Sequence, residues 1–312
     1  MIHLFRLSKE AQTPPLAIQT RFILDYVRAQ GPAREKLRVR FGSEMRNFTA
    51  GLTQPLDLVA RIGLASDTGT RPRDEDSVIA LMAHLDDNRW PIPLMLVAVA
   101  DGIGGSADGD LASALAIQSL AEQVVDHLVE SDPDEVSVDP LSIESMLVDA
   151  FGVAHRRIKR QTAGGGSTLT AALIVDRTAY IAHVGDSRAY WIDGGSAALS
   201  QLTRDHRFVR DWEELGIISR EEAIDHPQAH VLYRALGKLD QCEVDVTRRS
   251  LGDGARLLLC TDGVWEAVDP PDLTRILLGS DHPQLACEAL IARALASGAR
   301  DDITAVLVEM PV

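Results

Sequence analysis

The chain has 312 residues, 46% of them hydrophobic and 25% charged, which is typical of a folded protein that buries its core without disulfides. Its net charge of −15 argues against a nucleic-acid binder that depends on phosphate contacts. No apolar run reaches the roughly 18 residues of a membrane span. Three scattered cysteines indicate reduced thiols, and the N-terminus lacks a secretory signal layout. We therefore expect a cytoplasmic protein without a membrane span.

The charge divides the chain into two parts. Residues 1–60 hold nine Lys and Arg against five Asp and Glu, whereas the remainder has a balance of −19. An amphipathic pattern predicts a helix over residues 16–30, followed by a basic linker. We predict an N-terminal extension over residues 1–60 and one domain over residues 61–312. The extension is either a helix docked on that domain or a segment that binds a partner.

The first half of the predicted domain mixes strands and helices. Apolar runs of strand length predict strands at 61–65 and 94–100, and helical spacing predicts helices at 111–129 and 143–160. Four short strands follow at 169–175, 180–184, 189–192 and 199–202. Because the links between them are so short, they predict an antiparallel meander.

The second half of the predicted domain also mixes helices and strands. We predict a polar helix at 208–224, a strand at 257–260, helices at 272–278 and 284–296, and a closing strand at 304–308. Helices between runs of antiparallel strands indicate an α+β sandwich in which helices cover the sheets.

Acidic residues stand at the ends of several apolar strands. Asp101 and Asp262 each follow such a strand and precede a glycine, Asp301 precedes the last strand, and the acidic run 74–76 precedes another. A single Asp-Gly is usually a turn, but four strand-end acids are harder to explain in that way. A carboxylate at the edge of a core is costly unless it is paired or binds a cation.

If these strand ends converge, Asp101, Asp262 and Asp301 form a pocket of oxygen ligands. No cysteine or histidine flanks them, so the set favours Mg²⁺ or Mn²⁺ over Zn²⁺. Three carboxylates repel one another, which makes two divalent ions more plausible than one. A pair of such ions is the usual device for in-line displacement at phosphorus.

An ordered set of motifs carries a family resemblance across residues 61–310. The motifs are GTRPRDEDS (69–77), VAVADGIGG (97–105), GGSTLTAAL (165–173), AHVGDSRAY (182–190), LTRDH (202–206), VLYRALG (231–237), LLCTDGVWE (258–266) and DDIT (301–304). With them the chain resembles the metal-dependent PPM, or type 2C, protein serine/threonine phosphatases, in particular their bacterial branch. The resemblance implies an α/β/β/α sandwich of two mostly antiparallel sheets flanked by helices.

The resemblance also implies a ligand set for two Mn²⁺ or Mg²⁺ ions. Asp101 would bridge both ions, and the carbonyl of Gly102 would hold one of them. Asp262 and Asp301 would hold the other ion.

Further site residues follow from the same resemblance. Glu75 and Asp76 would hold water molecules bound to the ions, and Arg71 would bind the phosphate. Asp186 would help to bind a third, weaker ion, and residues 204–230 would form a flap beside the site.

The implied function is hydrolysis of phosphoserine and phosphothreonine in proteins by a hydroxide that bridges two ions, without a covalent phosphoenzyme. The enzyme would be a monomeric hydrolase in bacterial signalling, with phosphorylated proteins as substrates, among them a serine/threonine kinase. Asp74 and Asp302 stand where the family usually has Asn, so both add negative charge beside the metals. Ile103 stands where many eukaryotic members have His, which leaves the general acid unassigned.

The sequence disfavours two other interpretations. A phosphatase-fold regulatory or binding module with weak turnover would be expected to lose some of the three aspartates, and this chain keeps them all. A dinucleotide site at the glycines 102–104 is disfavoured because an aspartate precedes them and no second strand ending in an acid arrives at the required distance. We expect the histidines of the flap, His206, His226 and His230, to be solvated.

Overall fold

The computed structural model describes residues 2–4, 60–86, 91–104, 107–130, 139–196, 198–224 and 226–312. The helix predicted over residues 16–30 and almost all of the predicted extension lie outside the described residues. The division at residue 60 therefore stays a prediction.

Two antiparallel sheets form the centre of the molecule. The first sheet contains β1 (Ile2–Leu4), β3 (Asp76–Asp86), β4 (Pro91–Ile103), β6 (Leu169–Val175), β7 (Thr178–Val184) and β10 (Asp245–Ser250), in the order β1-β3-β4-β6-β7-β10, with the short β5 (Gly166–Ser167) paired to the end of β4. The second contains β2 (Arg61–Asp67), β8 (Arg188–Ile192), β9 (Leu199–Gln201), β11 (Arg256–Cys260) and β12 (Ile303–Glu309), in the order β2-β12-β11-β8-β9.

Helices cover the outer face of each sheet. The helices are α1 (Ala107–Glu130), α2 (Pro140–Gln161), α3 (Phe208–Glu214), α4 (Arg220–Ile224), α5 (Asp262–Trp265), α6 (Pro270–Gly279) and α7 (Pro283–Ala296). Helices α1 and α2 share a core with the first sheet, and α6 and α7 share one with the second. The predicted four-layer α/β/β/α sandwich is confirmed. None of the helices described is long and apolar enough to cross a membrane.

Strand β4 shows why a continuous apolar run forms the middle of this sandwich. Its side chains alternate between two cores, since Leu94 and Leu96 face α1 and α2 while Met95 and Val97 face the second sheet. All four are buried. Because both faces of the sheet are covered here, every position from 94 to 100 is apolar.

The predicted meander is wrong at its centre. Strand β7 pairs with β6 in the first sheet, and β8 pairs with β9 in the second, so the link between β7 and β8 passes from one sheet to the other. Gly185 makes this crossing with a φ of 112°, a conformation that favours glycine. The crossing carries Asp186 to the junction of the two sheets.

Two other elements differ from the prediction. The helix expected over residues 208–224 is divided into α3 and α4, because Gly216 adopts a φ of 68° between them. Strand β10 was not predicted, since its sequence DVTRRS lies on a mostly exposed edge and lacks apolar alternation.

Candidate metal centre

Three strand ends deliver the predicted aspartates to one pocket. Asp101 lies near the end of β4, Asp262 begins α5 one residue after β11, and Asp301 precedes β12, which pairs with β11. All three line a cavity of about 1070 Å³. The described residues that line the cavity also include Arg71, Glu75, Gly102 and Asp186. The structure thus brings seven of the eight predicted site residues to one pocket.

The eighth residue, Asp76, lies behind the pocket. It pairs in register with Asp101 across β3 and β4, and its side chain is fully buried. Its Oδ2 accepts a 2.8 Å hydrogen bond from the hydroxyl of Thr261, the residue before Asp262. Asp76 therefore links the ends of two strands that supply the pocket's acids, and any contact with metal-bound water stays a prediction.

Burial and mutual repulsion act strongly on the acids. Desolvation by burial, with repulsion from Asp262, raises the pKa of Asp101 well above its usual range. Desolvation, with repulsion from Asp186, likewise raises the pKa of Asp262. Such a cluster is costly when ionised, and a bound cation removes that cost.

The donor set fits Mg²⁺ or Mn²⁺. One carboxylate oxygen each of Asp101, Asp186 and Asp262 lie within 4.8 Å of one another. The Oδ1 atom of Asp262 is buried and has no hydrogen-bond donor among the described residues. Carboxylate and carbonyl oxygens are the ligands that these hard cations prefer.

Two glycines bring helix α1 against the end of β4. A Cβ on Gly102 would lie 2.2 Å from the carbonyl oxygen of Gly109, and a Cβ on Gly109 would lie 3.0 Å from the Glu75 carboxyl carbon. The Gly102 amide donates to the Glu75 carbonyl over 3.1 Å. This close approach positions both Glu75 and the Gly102 carbonyl beside Asp101.

Arg71 lies among the acids at the mouth of the pocket. Its Nη2 donates to Asp301 over 2.8 Å, and its Nη1 donates to Glu75 over 3.3 Å. The side chain is 37% exposed. A guanidinium in this position can reach the oxygens of a phosphoryl group that enters from solvent.

Asp302 is buried next to the pocket and holds the backbone of Glu75. It is 1% exposed, and its Oδ2 accepts a 2.9 Å hydrogen bond from the Glu75 amide. Desolvation by burial, together with repulsion from Asp74, raises the pKa of Asp302 to about 7. The two aspartates that stand in place of the usual Asn therefore do lie close to the acidic pocket and to each other.

The sequence motifs gave no role to Arg207 or Glu266, yet Arg207 contacts two acids that line the pocket, Asp186 and Asp262, and Glu266 pairs with Arg207. Arg207 donates to Asp186, Asp262 and Glu266, and it is buried. Both residues stand at or next to the ends of quoted motifs, LTRDH and LLCTDGVWE. Their closeness to these motifs could have indicated a place near the site. The motifs alone did not show that Arg207 contacts the acids.

The flap histidines differ from one another. His206 is 1% exposed, so the expectation that it is solvated is wrong. Its Nδ1 accepts a hydrogen bond from the Gly185 amide, and its Nε2 lies 3.1 Å from Asp245. His206 thereby fastens the start of the flap to the β7–β8 crossing. His230 is exposed and lies 3.5 Å from Glu266 at the pocket rim.

Known proteins are similar to this chain in sequence and in architecture. The family model described as protein phosphatase 2C matches residues 62–303. The serine/threonine phosphatase stp of Listeria welshimeri is 34% identical over 214 residues, which cover 69% of this chain and 84% of that protein. PstP of Mycobacterium tuberculosis, a serine/threonine protein phosphatase, is 34% identical over 256 residues, which cover 81% of this chain and 45% of that protein.

Solved structures agree. The crystal structure of M. tuberculosis PstP/Ppp matches with a TM-score of 0.68 and 31% identity, over 82% of this chain and all of that one. A structure of the PstP catalytic domain in complex with two manganese ions matches with a TM-score of 0.64 and 32% identity, over 80% of this chain and 98% of that one. With the fold, the ordered motifs and the family model in agreement, this chain belongs to the protein phosphatase 2C family.

Proposed function

We propose that this protein is a metal-dependent serine/threonine protein phosphatase whose centre is built on Asp101, Asp262 and Asp301. The observation that carries the proposal is the convergence of these three aspartates, from three separate strand ends, on one pocket. The burial of the Asp262 Oδ1 atom without a donor among the described residues supports it. Manganese in a solved relative supports the choice of cation.

Each residue has a defined part in this proposal. Asp101 would bridge two cations, the carbonyl of Gly102 would hold one of them, and Asp262 and Asp301 would hold the other. When bound, such ions act as Lewis acids towards a phosphoryl group and lower the pKa of water. Glu75 would accept hydrogen bonds from water in the pocket.

Arg71 would orient the phosphoryl group. Its fork can donate two parallel hydrogen bonds to phosphoryl oxygens, and its positive charge offsets negative charge that develops there. Water adds to phosphorus while the bond from phosphorus to the serine or threonine oxygen breaks. The products are the free hydroxyl side chain and inorganic phosphate, and no residue of the chain becomes phosphorylated.

The substrates we propose are phosphorylated proteins, and a serine/threonine kinase is the partner we expect among them. We further propose a cytoplasmic monomer in which residues 61–312 form the catalytic domain. The start of the family match at residue 62 supports that boundary. Residues 1–60 would be a separate extension.

Phosphate release tests the proposal directly. We expect Mn²⁺-dependent hydrolysis of p-nitrophenyl phosphate and of a phosphothreonine peptide, abolished by EDTA and restored by excess Mn²⁺. Asp101→Asn should abolish turnover, and the control Asp253→Asn should not, because Asp253 pairs with Arg177 on an exposed surface. Folded wild-type protein that releases no phosphate at millimolar Mn²⁺ would contradict the proposal and favour a regulatory or binding module.

A further inference from the structure

A buried arginine, Arg207, pairs with acids that line the pocket. Arg207 donates from Nε to Asp186 over 2.5 Å, from Nη2 to Asp262 over 2.9 Å and from Nη1 to Glu266 over 2.6 Å. One guanidinium thus contacts three carboxylates, each with a different nitrogen. Two of these acids, Asp186 and Asp262, are predicted metal ligands.

The side chain of Arg207 is held in place from several directions. It is 7% exposed, and its guanidinium lies 4.7 Å from the ring centre of Trp265. The indole N–H of Trp265 donates to the Asp186 carbonyl over 3.0 Å, and Arg188 stacks on the same ring at 3.4 Å. Moving Arg207 away would break three ion pairs at once and leave the Asp186 and Asp262 carboxylates without their positive partner, which is a large cost. Arg71, by contrast, is 37% exposed and can exchange partners at the pocket mouth.

The two carboxylate oxygens of Asp262 have different surroundings. Oδ2 accepts from Arg207, while Oδ1 has no donor among the described residues and is the oxygen left for a cation shared with Asp101. Asp186 likewise gives its Oδ2 to Arg207. A divalent ion held between Asp186, Asp262 and Glu266 would need oxygens that already face a permanent positive charge. A guanidinium does not lose its proton in proteins, so this charge is present at every pH of interest.

We propose that Arg207 takes the place of a third divalent cation, so that the protein binds two ions and Asp186 serves as a partner of Arg207 and not as the ligand of a third ion. The inference rests on the proposed two-ion centre and concerns only the ion beyond that pair. It replaces the sequence-based expectation that Asp186 helps to bind a third ion.

The number of Mn²⁺ ions bound at saturation tests this inference, measured by equilibrium dialysis with elemental analysis of the protein. We expect two ions for the wild type and three for Arg207→Gln, because the variant exposes Asp186, Asp262 and Glu266 without their positive partner. The double variant with Asp186→Asn should return to two. Arg204→Gln is the matched control, since Arg204 is 51% exposed and pairs only with Asp211 and Glu214 among the described acids. It should bind two ions.

Three ions in the wild type, or equal numbers in the wild type and folded Arg207→Gln, would overturn the inference. Circular dichroism checks that the variant folds. If it does not, Asp186→Asn alone decides, because it leaves Arg207 in place: two bound ions support the inference, and the loss of an ion relative to the wild type overturns it. Phosphate release by a three-ion wild type would leave the proposed function intact, whereas a two-ion protein without turnover would contradict the function and spare the inference.

Discussion

Replacement of Asp302 by Asn measures how much free energy of folding is lost by burying this negative charge beside the other carboxylates of the pocket. Asp302 is buried against the Glu75 amide, 3.5 Å from Arg71. Asn has nearly the same shape and keeps an oxygen that can accept from Glu75, so the substitution removes the charge and little else. We expect Asp302→Asn to stabilise the protein in the presence of EDTA at neutral and alkaline pH.

The magnitude follows from the pKa of Asp302, which burial raises from 3.8 to about 7. A carboxyl whose pKa is higher in the folded state contributes its full stability below pH 3.8 and loses it as the pH rises through 7. The full shift corresponds to about 4 kcal/mol. Water at the nearby pocket mouth screens part of this cost, so we expect roughly 2 kcal/mol in favour of the Asn variant at pH 8.

Urea unfolding in EDTA at a series of pH values between 4.5 and 8 measures this effect. The difference in the free energy of unfolding between Asp302→Asn and the wild type should grow with pH and level off above pH 7. Asp281→Asn, at an exposed position in the loop before α7, should show no such growth. If the difference for Asp302→Asn is independent of pH, or if the variant is less stable at pH 8, the reasoning about the buried charge is wrong.

Three further predictions concern the metal centre. Asp101→Asn should lower kcat/KM by at least about tenfold more than Arg71→Ala, because it removes a shared ligand of both ions whereas Arg71 contributes one donor group; equal losses would contradict the bridging role. Gly109→Ala should raise the Mn²⁺ concentration for half-maximal turnover about tenfold. The added Cβ would press on Glu75 and the Gly102 carbonyl, at a cost of about 1–3 kcal/mol. An unchanged Mn²⁺ dependence would show that this contact does not position ligands. Mn²⁺ at about 100 times its Kd should stabilise the wild type against unfolding by about 2.7 kcal/mol for each independent ion, and Asp101→Asn should lose most of that gain; equal gains in both proteins would place the ions elsewhere.

Much of the fold could be predicted because the signals are local. The run at 94–100 is apolar throughout since both faces of β4 are covered, and the spacing within α2 reflects a single buried face. The site could be predicted from the strand-end position of Asp101, Asp262 and Asp301, because a charged group at the end of a buried strand requires a partner.

The remainder depends on contacts between distant segments. The length of the link at Gly185 limits how far the chain can travel, but it does not show that the next strand joins the other sheet. Arg207 and Glu266 are 59 residues apart, and only the folding of the flap against α5 brings them together. The burial of His206 has the same origin, since its partners Gly185 and Asp245 come from the first sheet and its edge.

Anomalous diffraction from crystals grown with Mn²⁺ tests the central claim most directly. The account predicts two manganese peaks in the pocket, both in contact with Asp101, with Asp262 and Asp301 on one of them and the Gly102 carbonyl on the other. Manganese peaks that are absent from the pocket at saturating Mn²⁺, or that lie away from Asp101, would contradict it.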